Sequence, residues 1–120
     1  MIAKLVKGVI ITSVLITIAL LVGHGYLVYQ EKSRNTIELK NTRNVMLFFY
    51  RDDCKDCQKL FRDVYFQKLR GRKIILINMN NYKNRRYAKE YRIYSVPTCI
   101  KNNQKYVGSN RRKIYDLIRE

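Results

Sequence analysis

Cys54 and Cys57 are separated by Lys55-Asp56, a spacing at which two thiols can close a disulfide within one helical turn. The apolar run Val45-Met46-Leu47-Phe48-Phe49-Tyr50 ends just before them, so the pair is expected where a buried strand gives way to a helix. A helix N-terminus stabilises the thiolate of the first cysteine, and the thiolate is the nucleophile. Arg51 and Lys55 add to that effect; Asp52, Asp53 and Asp56 oppose it. The chemistry implied is dithiol–disulfide exchange. Cys54 attacks a partner disulfide, and the more buried Cys57, one turn in, displaces the partner. A strongly acidic Cys54 would make the chain an oxidant, a less acidic one a reductant or isomerase. Forty residues past Cys57 stands Pro97, the only proline, within Val96-Pro97-Thr98.

The elements that must position these residues follow from patterning. Val45 to Tyr50 reads as a buried strand. Asp52 or Asp53 is expected to cap a helix running to about Arg70. That helix carries Leu60, Phe61, Val64 and Leu69 on one face, and Gly71 stops it. Ile74 to Met79 is a second buried strand, and Asn84 to Tyr91 a short basic helix. Thr98 to Lys101 and Gln104 to Val107 form a hairpin about Asn102-Asn103. Ser109 or Asn110 caps a last helix with an Ile114, Leu117, Ile118 stripe. The order is βαβαββα: the first helix is a crossover between parallel strands, and the hairpin adds antiparallel ones.

The 120 residues suffice for one small domain and a separate N-terminal segment. Gly8 to Gln30 contains no Lys, Arg, Asp or Glu, and roughly 20 apolar residues span a bilayer. Residues 1–30 are therefore expected to be a transmembrane signal-anchor, with Tyr26 and Tyr29 at the far interface. A cleaved signal peptide is the competing reading, with Gly23-His24-Gly25 as a weak cleavage site. Residues 31–43 read as a polar linker, and 44–120 as the compact domain. The formal net charge is +16. Only Lys4 and Lys7 among the 25 basic residues precede residue 31, and all nine acidic ones follow residue 30, leaving +14 on the rest. Such a surface suits an anionic neighbour such as lipid headgroups or an acidic wall polymer, or the tolerance of a tethered domain for basic charge. Lys4 and Lys7 favour a cytoplasmic N-terminus; Lys32, Arg34, Lys40 and Arg43 favour the reverse. The short positive segment before the apolar run favours a single-pass cell-membrane protein with its C-terminal domain extracytoplasmic, with the reverse orientation left open.

The order of elements, the Cys54-Lys55-Asp56-Cys57 motif after the first buried strand, the segment Tyr87 to Thr98 and the ending Val107-Gly108 together resemble the thioredoxin superfamily over about residues 44 to 120. Neither C-x-x-C nor one proline is specific; the two at this separation are. The resemblance implies a minimal thioredoxin-like α/β fold behind one N-terminal transmembrane helix, with no cofactor. It matches Cys54 to the nucleophilic and Cys57 to the resolving cysteine. It matches Pro97 to the family's cis-proline, whose strand edge, Val96-Pro97-Thr98, pairs with the substrate peptide. Phe48 stands where thioredoxins place a buried Asp that assists proton transfer from the second thiol. Asp53 replaces their Trp, and Lys55-Asp56 their Gly-Pro.

The implied partners are protein or peptide thiols and disulfides, the membrane, and a redox partner protein that the residues do not identify. Cys99 reads as a small core residue. No metal site is expected, because the sole histidine, His24, lies in the apolar segment. The basic and tyrosine-rich composition invites nucleic acid, but no nucleic-acid fold is recognised and the anchor argues against it. The alternative function is a non-catalytic accessory module that binds a secreted peptide or protein, with the cysteines as a staple.

Overall fold

A computed structural model describes residues 1–120. It divides into two units, Met1–Gln30 and Glu31–Glu120. Helix α1 (Ile2–Lys32) makes up the first unit and extends into the second. It is long and apolar enough to cross a membrane, which makes it a candidate span by length and composition. Its three Ser and Thr hydroxyls are satisfied within the helix. Thr12, Ser13 and Thr17 donate to carbonyls three or four residues earlier, at 2.9–3.0 Å, which a lipid-facing hydroxyl requires.

The second unit is a four-stranded sheet in the order β2-β1-β3-β4, with β1 at Met46–Tyr50, β2 at Ile74–Asn78, β3 at Thr98–Lys101 and β4 at Gln104–Val107. β1 pairs with β2 in parallel, from Met46↔Ile74 to Tyr50↔Asn78. It pairs with β3 antiparallel, from Met46↔Lys101 to Phe49↔Thr98. Every residue of β1 is buried, because both faces of this central strand are covered. That explains a continuous apolar run in place of alternation. The outer strand β4 is mostly exposed.

Phe48 and Tyr50 point towards α2 (Lys55–Leu69), where Phe61 packs on Tyr50 with ring centroids 5.2 Å apart. Helix α4 (Arg111–Arg119) covers the same face through Ile114, Leu117 and Ile118, and the Lys101 ammonium donates to the Ile118 carbonyl at 2.8 Å. Leu47 and Phe49 point the other way, into a cluster with Ile77, Met79, Tyr87, Ile93 and Ile100 beneath the short helix α3 (Arg86–Glu90). Each fully buried side chain of this size contributes about 1.5–3 kcal/mol.

Two details depart from the sequence reading. Leu69 is 64% exposed, while Tyr65 is buried. At about 100° per residue, Leu60, Phe61 and Val64 stay within roughly 60° of Cys57, whereas Leu69 turns about 120° away. Residues 33–45 form neither helix nor strand, yet the Ile37 and Leu39 side chains pack on the α3-side core. The Ile37 N–H donates to Asn84 Oδ1 at 2.9 Å, and the Leu39 N–H to the Tyr87 hydroxyl at 3.1 Å. This polar stretch is a strap bound across the domain.

Gly71 and Gly108 sit at φ +97° and +135°, conformations that favour glycine. A Cβ at Gly108 would also lie 2.8 Å from the Tyr106 hydroxyl. The hairpin returns here to the site, since the Gly108 N–H donates to the Pro97 carbonyl at 3.1 Å.

Candidate active site

β1 ends at Tyr50, and a tight turn carries the chain to Cys54, whose N–H donates to the Arg51 carbonyl at 3.3 Å. Cys54 is itself the N-cap of α2: it is extended (φ −95°, ψ 121°) and its sulfur accepts the Cys57 N–H at 3.3 Å. Asp52 and Asp53, expected as caps, do not cap the helix. A cap must lie directly before the first helical residue, and that position belongs to the cysteine. The Cys54 thiol also donates to the Val96 carbonyl, with Sγ 3.9 Å from the oxygen. The Val96–Pro97 peptide bond is cis. Thr98 Oγ1 donates to the Ser95 carbonyl at 2.7 Å, fixing the segment before the proline. The structure thus places Cys57 and Val96 against Cys54, with Pro97 and Thr98 following Val96 into β3.

The cysteines are unpaired and differ in environment. Cys54 is partly exposed; Cys57 and Cys99 are fully buried. Burial pushes the Cys57 thiol up, and its contact with Cys54 adds to the shift. Burial alone pushes the Cys99 thiol up to about 12. Cys99 pairs with Phe48 across β1 and β3 and sits on the sheet as a core residue. Phe48 is wholly buried and stacks on Tyr50 with ring centroids 5.5 Å apart.

The acids near the dithiol are each matched. Asp53 pairs with Arg51 at 3.2 Å, and Asp56 with Lys59 at 3.9 Å, on exposed side chains. Asp52 is buried and more elaborately held. Arg34 donates to it twice, from Nε at 2.8 Å and Nη2 at 3.1 Å. The Asn78 and Asn80 amides donate at 2.9 and 2.7 Å. The Arg34 hydrogen bond, then those of Asn78 and Asn80, outweigh burial and lower the Asp52 carboxyl to about 2. Beside it, the Tyr50 hydroxyl donates to the Glu31 carbonyl at 2.9 Å. Burial and the Asp52 charge push that phenol well above its ordinary value.

Because the folded Asp52 carboxyl titrates below its usual range, its contribution is complete above about pH 5 and is progressively lost as pH falls towards 2. Discounting for the exposed Arg34, it is about 1–2 kcal/mol. Urea titrations of the wild type should lose that much stability between pH 5 and 2.5. Asp52→Asn should be weaker at pH 7 and lack this part of the acid dependence; an unchanged dependence would refute the assignment.

Sequence reasoning missed the polar frame under the site: Arg34, Asn78, Asn80 and Asn84. One signal was available, four asparagines between positions 78 and 84 directly after a buried strand.

The sheet order, the dithiol at the start of α2 and the neighbouring cis-proline define a thioredoxin-type domain, the general architecture of thiol–disulfide oxidoreductases. The chain belongs to the thioredoxin family, whose model matches residues 27–120. Among solved structures it is similar to the glutaredoxin of Archaeoglobus fulgidus. The two are 23% identical over 62% of this chain and 86% of that one, with a TM-score of 0.50. It is also similar to the oxidised mitochondrial thioredoxin 3 of Saccharomyces cerevisiae. That pair is 17% identical over 62% and 76% of the respective chains, again with a TM-score of 0.50. Both likenesses are of fold. A comparison with curated proteins finds no match.

Proposed function

We propose that this protein is a membrane-anchored thiol–disulfide oxidoreductase acting on protein or peptide substrates, with Cys54 as nucleophile and Cys57 as resolving thiol. The observation that carries this reading is the setting of Cys54: a partly exposed sulfur that receives the Cys57 N–H at 3.3 Å and lies 3.9 Å from the Val96 carbonyl. A donor aimed at the sulfur serves the negative charge it carries during exchange. A buried second sulfur one turn along is held back until the first has reacted.

In the reductive direction the Cys54 thiolate attacks one sulfur of a substrate disulfide. A Cys54–substrate disulfide forms, and the other substrate sulfur leaves as a thiolate. Cys57 loses its proton and attacks Cys54 Sγ, forming the Cys54–Cys57 disulfide and releasing the second substrate thiolate. Two electrons pass to the substrate, and the two cysteine protons end on its thiols. Oxidation is the reverse. The segment Val96-Pro97-Thr98 borders Cys54, and we assign it the docking of the substrate backbone by strand addition.

Replacing the resolving thiol stops the reaction after its first step. Cys57→Ser should therefore accumulate mixed disulfides, visible as reductant-sensitive adducts on non-reducing gels and absent from Cys54→Ser. A Cys57→Ser protein that captures nothing would leave the cysteines as a structural staple and this function wrong.

Residues 1–30 serve in this reading as a single-pass anchor, with the domain on the extracytoplasmic side and its basic surface facing anionic lipid or wall polymer. An impermeant thiol reagent applied to intact cells should label a cysteine introduced at Ser33. No labelling there, with labelling after lysis, would place the domain inside.

A further inference from the structure

A cavity of about 300 Å³ opens beside the dithiol, walled by Arg51, Arg85, Tyr94, Ser95 and Val96 over a floor of Met79 and Ile93. Its volume is at the lower end for ligand sites. Two of its lining residues hold Cys54: the Arg51 carbonyl accepts the Cys54 N–H, and the Val96 carbonyl accepts its thiol. The cavity is thus close enough to Cys54 to receive a side chain next to a reacting cysteine.

The lining carries two guanidinium groups and no carboxylate. Arg51 is partly committed to Asp53 and to Asn80 Oδ1, at 3.2 and 2.9 Å. Arg85 is different: its Nε donates to the Met79 carbonyl at 3.1 Å, which holds it against the wall, and none of the domain's ion pairs includes it. Tyr94 stands at the rim, 89% exposed. The floor is apolar, with Met79 and Ile93 at 6% and 8% exposure. An unmatched arginine over an apolar floor is complementary to a side chain with a short aliphatic stem and a carboxylate tip.

We propose that this cavity is a specificity subsite that selects peptide or protein substrates with Glu or Asp flanking the reacting cysteine. The inference rests on the exchange reaction proposed above and names its substrate class. Attraction between the subsite and an acidic flank speeds formation of the Cys54–substrate disulfide. The acidic residue takes no part in the electron transfer.

The test uses the full chain, reduced, in a zwitterionic detergent. Three peptides identical except for Glu, Gln or Lys beside one cysteine are supplied as mixed disulfides with 2-mercaptoethanol, and protein oxidation is followed by quenched mass spectrometry. Bis(2-hydroxyethyl) disulfide, neutral and without a flank, reports the dithiol alone. At low salt the Glu peptide should react on the order of tenfold faster than the Lys peptide, with Gln between. The ratio should collapse towards one at about 1 M salt, where screening acts within roughly 3 Å. Arg85→Gln should reduce the ratio severalfold, and Arg119→Gln, outside the cavity, should leave it unchanged. Equal rates for the three peptides while bis(2-hydroxyethyl) disulfide reacts would overturn the subsite and spare the exchange reaction. No reaction with any disulfide would overturn the exchange reaction itself. A Glu preference equally sensitive to Arg119→Gln would assign it to the general basic surface and refute the cavity.

Discussion

Cys54→Ser should lower the rate of disulfide exchange at least about a hundredfold, towards that of protein-free controls. A serine hydroxyl is not ionised near neutral pH and cannot form a disulfide, so the mutant depends on the remaining thiols. Cys99, with its thiol near 12, is roughly 10⁻⁵ ionised at pH 7, against a few per cent for a free cysteine. The greater intrinsic nucleophilicity of a basic thiolate recovers only part of that deficit, leaving about two orders of magnitude. Both Cys57 and Cys99 are wholly buried, so restricted access adds to the loss. Cys99→Ser should exchange at the wild-type rate. The assay is second-order oxidation of the reduced protein by bis(2-hydroxyethyl) disulfide; a Cys54→Ser protein retaining a tenth of the wild-type rate would exclude Cys54 as the nucleophile.

Asn84→Ala is expected to destabilise the domain by roughly 3 kcal/mol or more, although residue 84 touches no cysteine. Asn84 has no exposed surface. Its amide donates to the Asn35 and Asn78 carbonyls at 2.9 and 3.0 Å, and its Oδ1 accepts the Ile37 N–H at 2.9 Å. One side chain thus joins the strap, the end of β2 and the turn before α3. Truncation to alanine strands the Ile37 N–H and the Asn35 carbonyl, each costing about 1–3 kcal/mol where water cannot reach it, while the Asn78 carbonyl keeps the Asn81 N–H at 3.2 Å. Ile37 and Leu39 then lose the anchor that holds them on the core, so the Ile37 amide should exchange with deuterium far faster. Asn84→Asp separates the contributions. It keeps the acceptor for Ile37 but turns the amide donor into an oxygen facing two carbonyls, so it should be no more stable than Asn84→Ala. Unfolding free energies from urea titration within about 0.5 kcal/mol of wild type for both variants would refute this role for Asn84.

The sequence by itself determined the parts of this protein that are local. The apolar run ending at Tyr50 had to hold a strand buried on both faces, which the structure starts at Met46 and not Val45, and the C-x-x-C behind it had to open a helix. The i, i+3, i+4 stripe of Ile114, Leu117 and Ile118 had to face the sheet, and the long uncharged N-terminal segment had to be helical and span-length. Periodicity and propensity act over a few residues and are written in order along the chain. With the family resemblance, this sufficed to anticipate the strand pairing, the dithiol and its cis-proline neighbour.

Tertiary structure alone decided what depends on partners distant in sequence. Asp52 looked like a helix cap; its partners Arg34, Asn78 and Asn80, 18 to 28 residues away, make it the centre of a buried polar frame. Residues 31–43 looked like a free linker because they are polar; Asn84 and Tyr87, nearly 50 residues further on, bind their backbone. Arg85 was one of many basic residues until the fold set it, without a carboxylate partner, in the cavity beside Cys54. Hydrogen-bond and charge partners have no period, and which of many asparagines and arginines meet is settled only when the sheet and helices bring them within 3 Å.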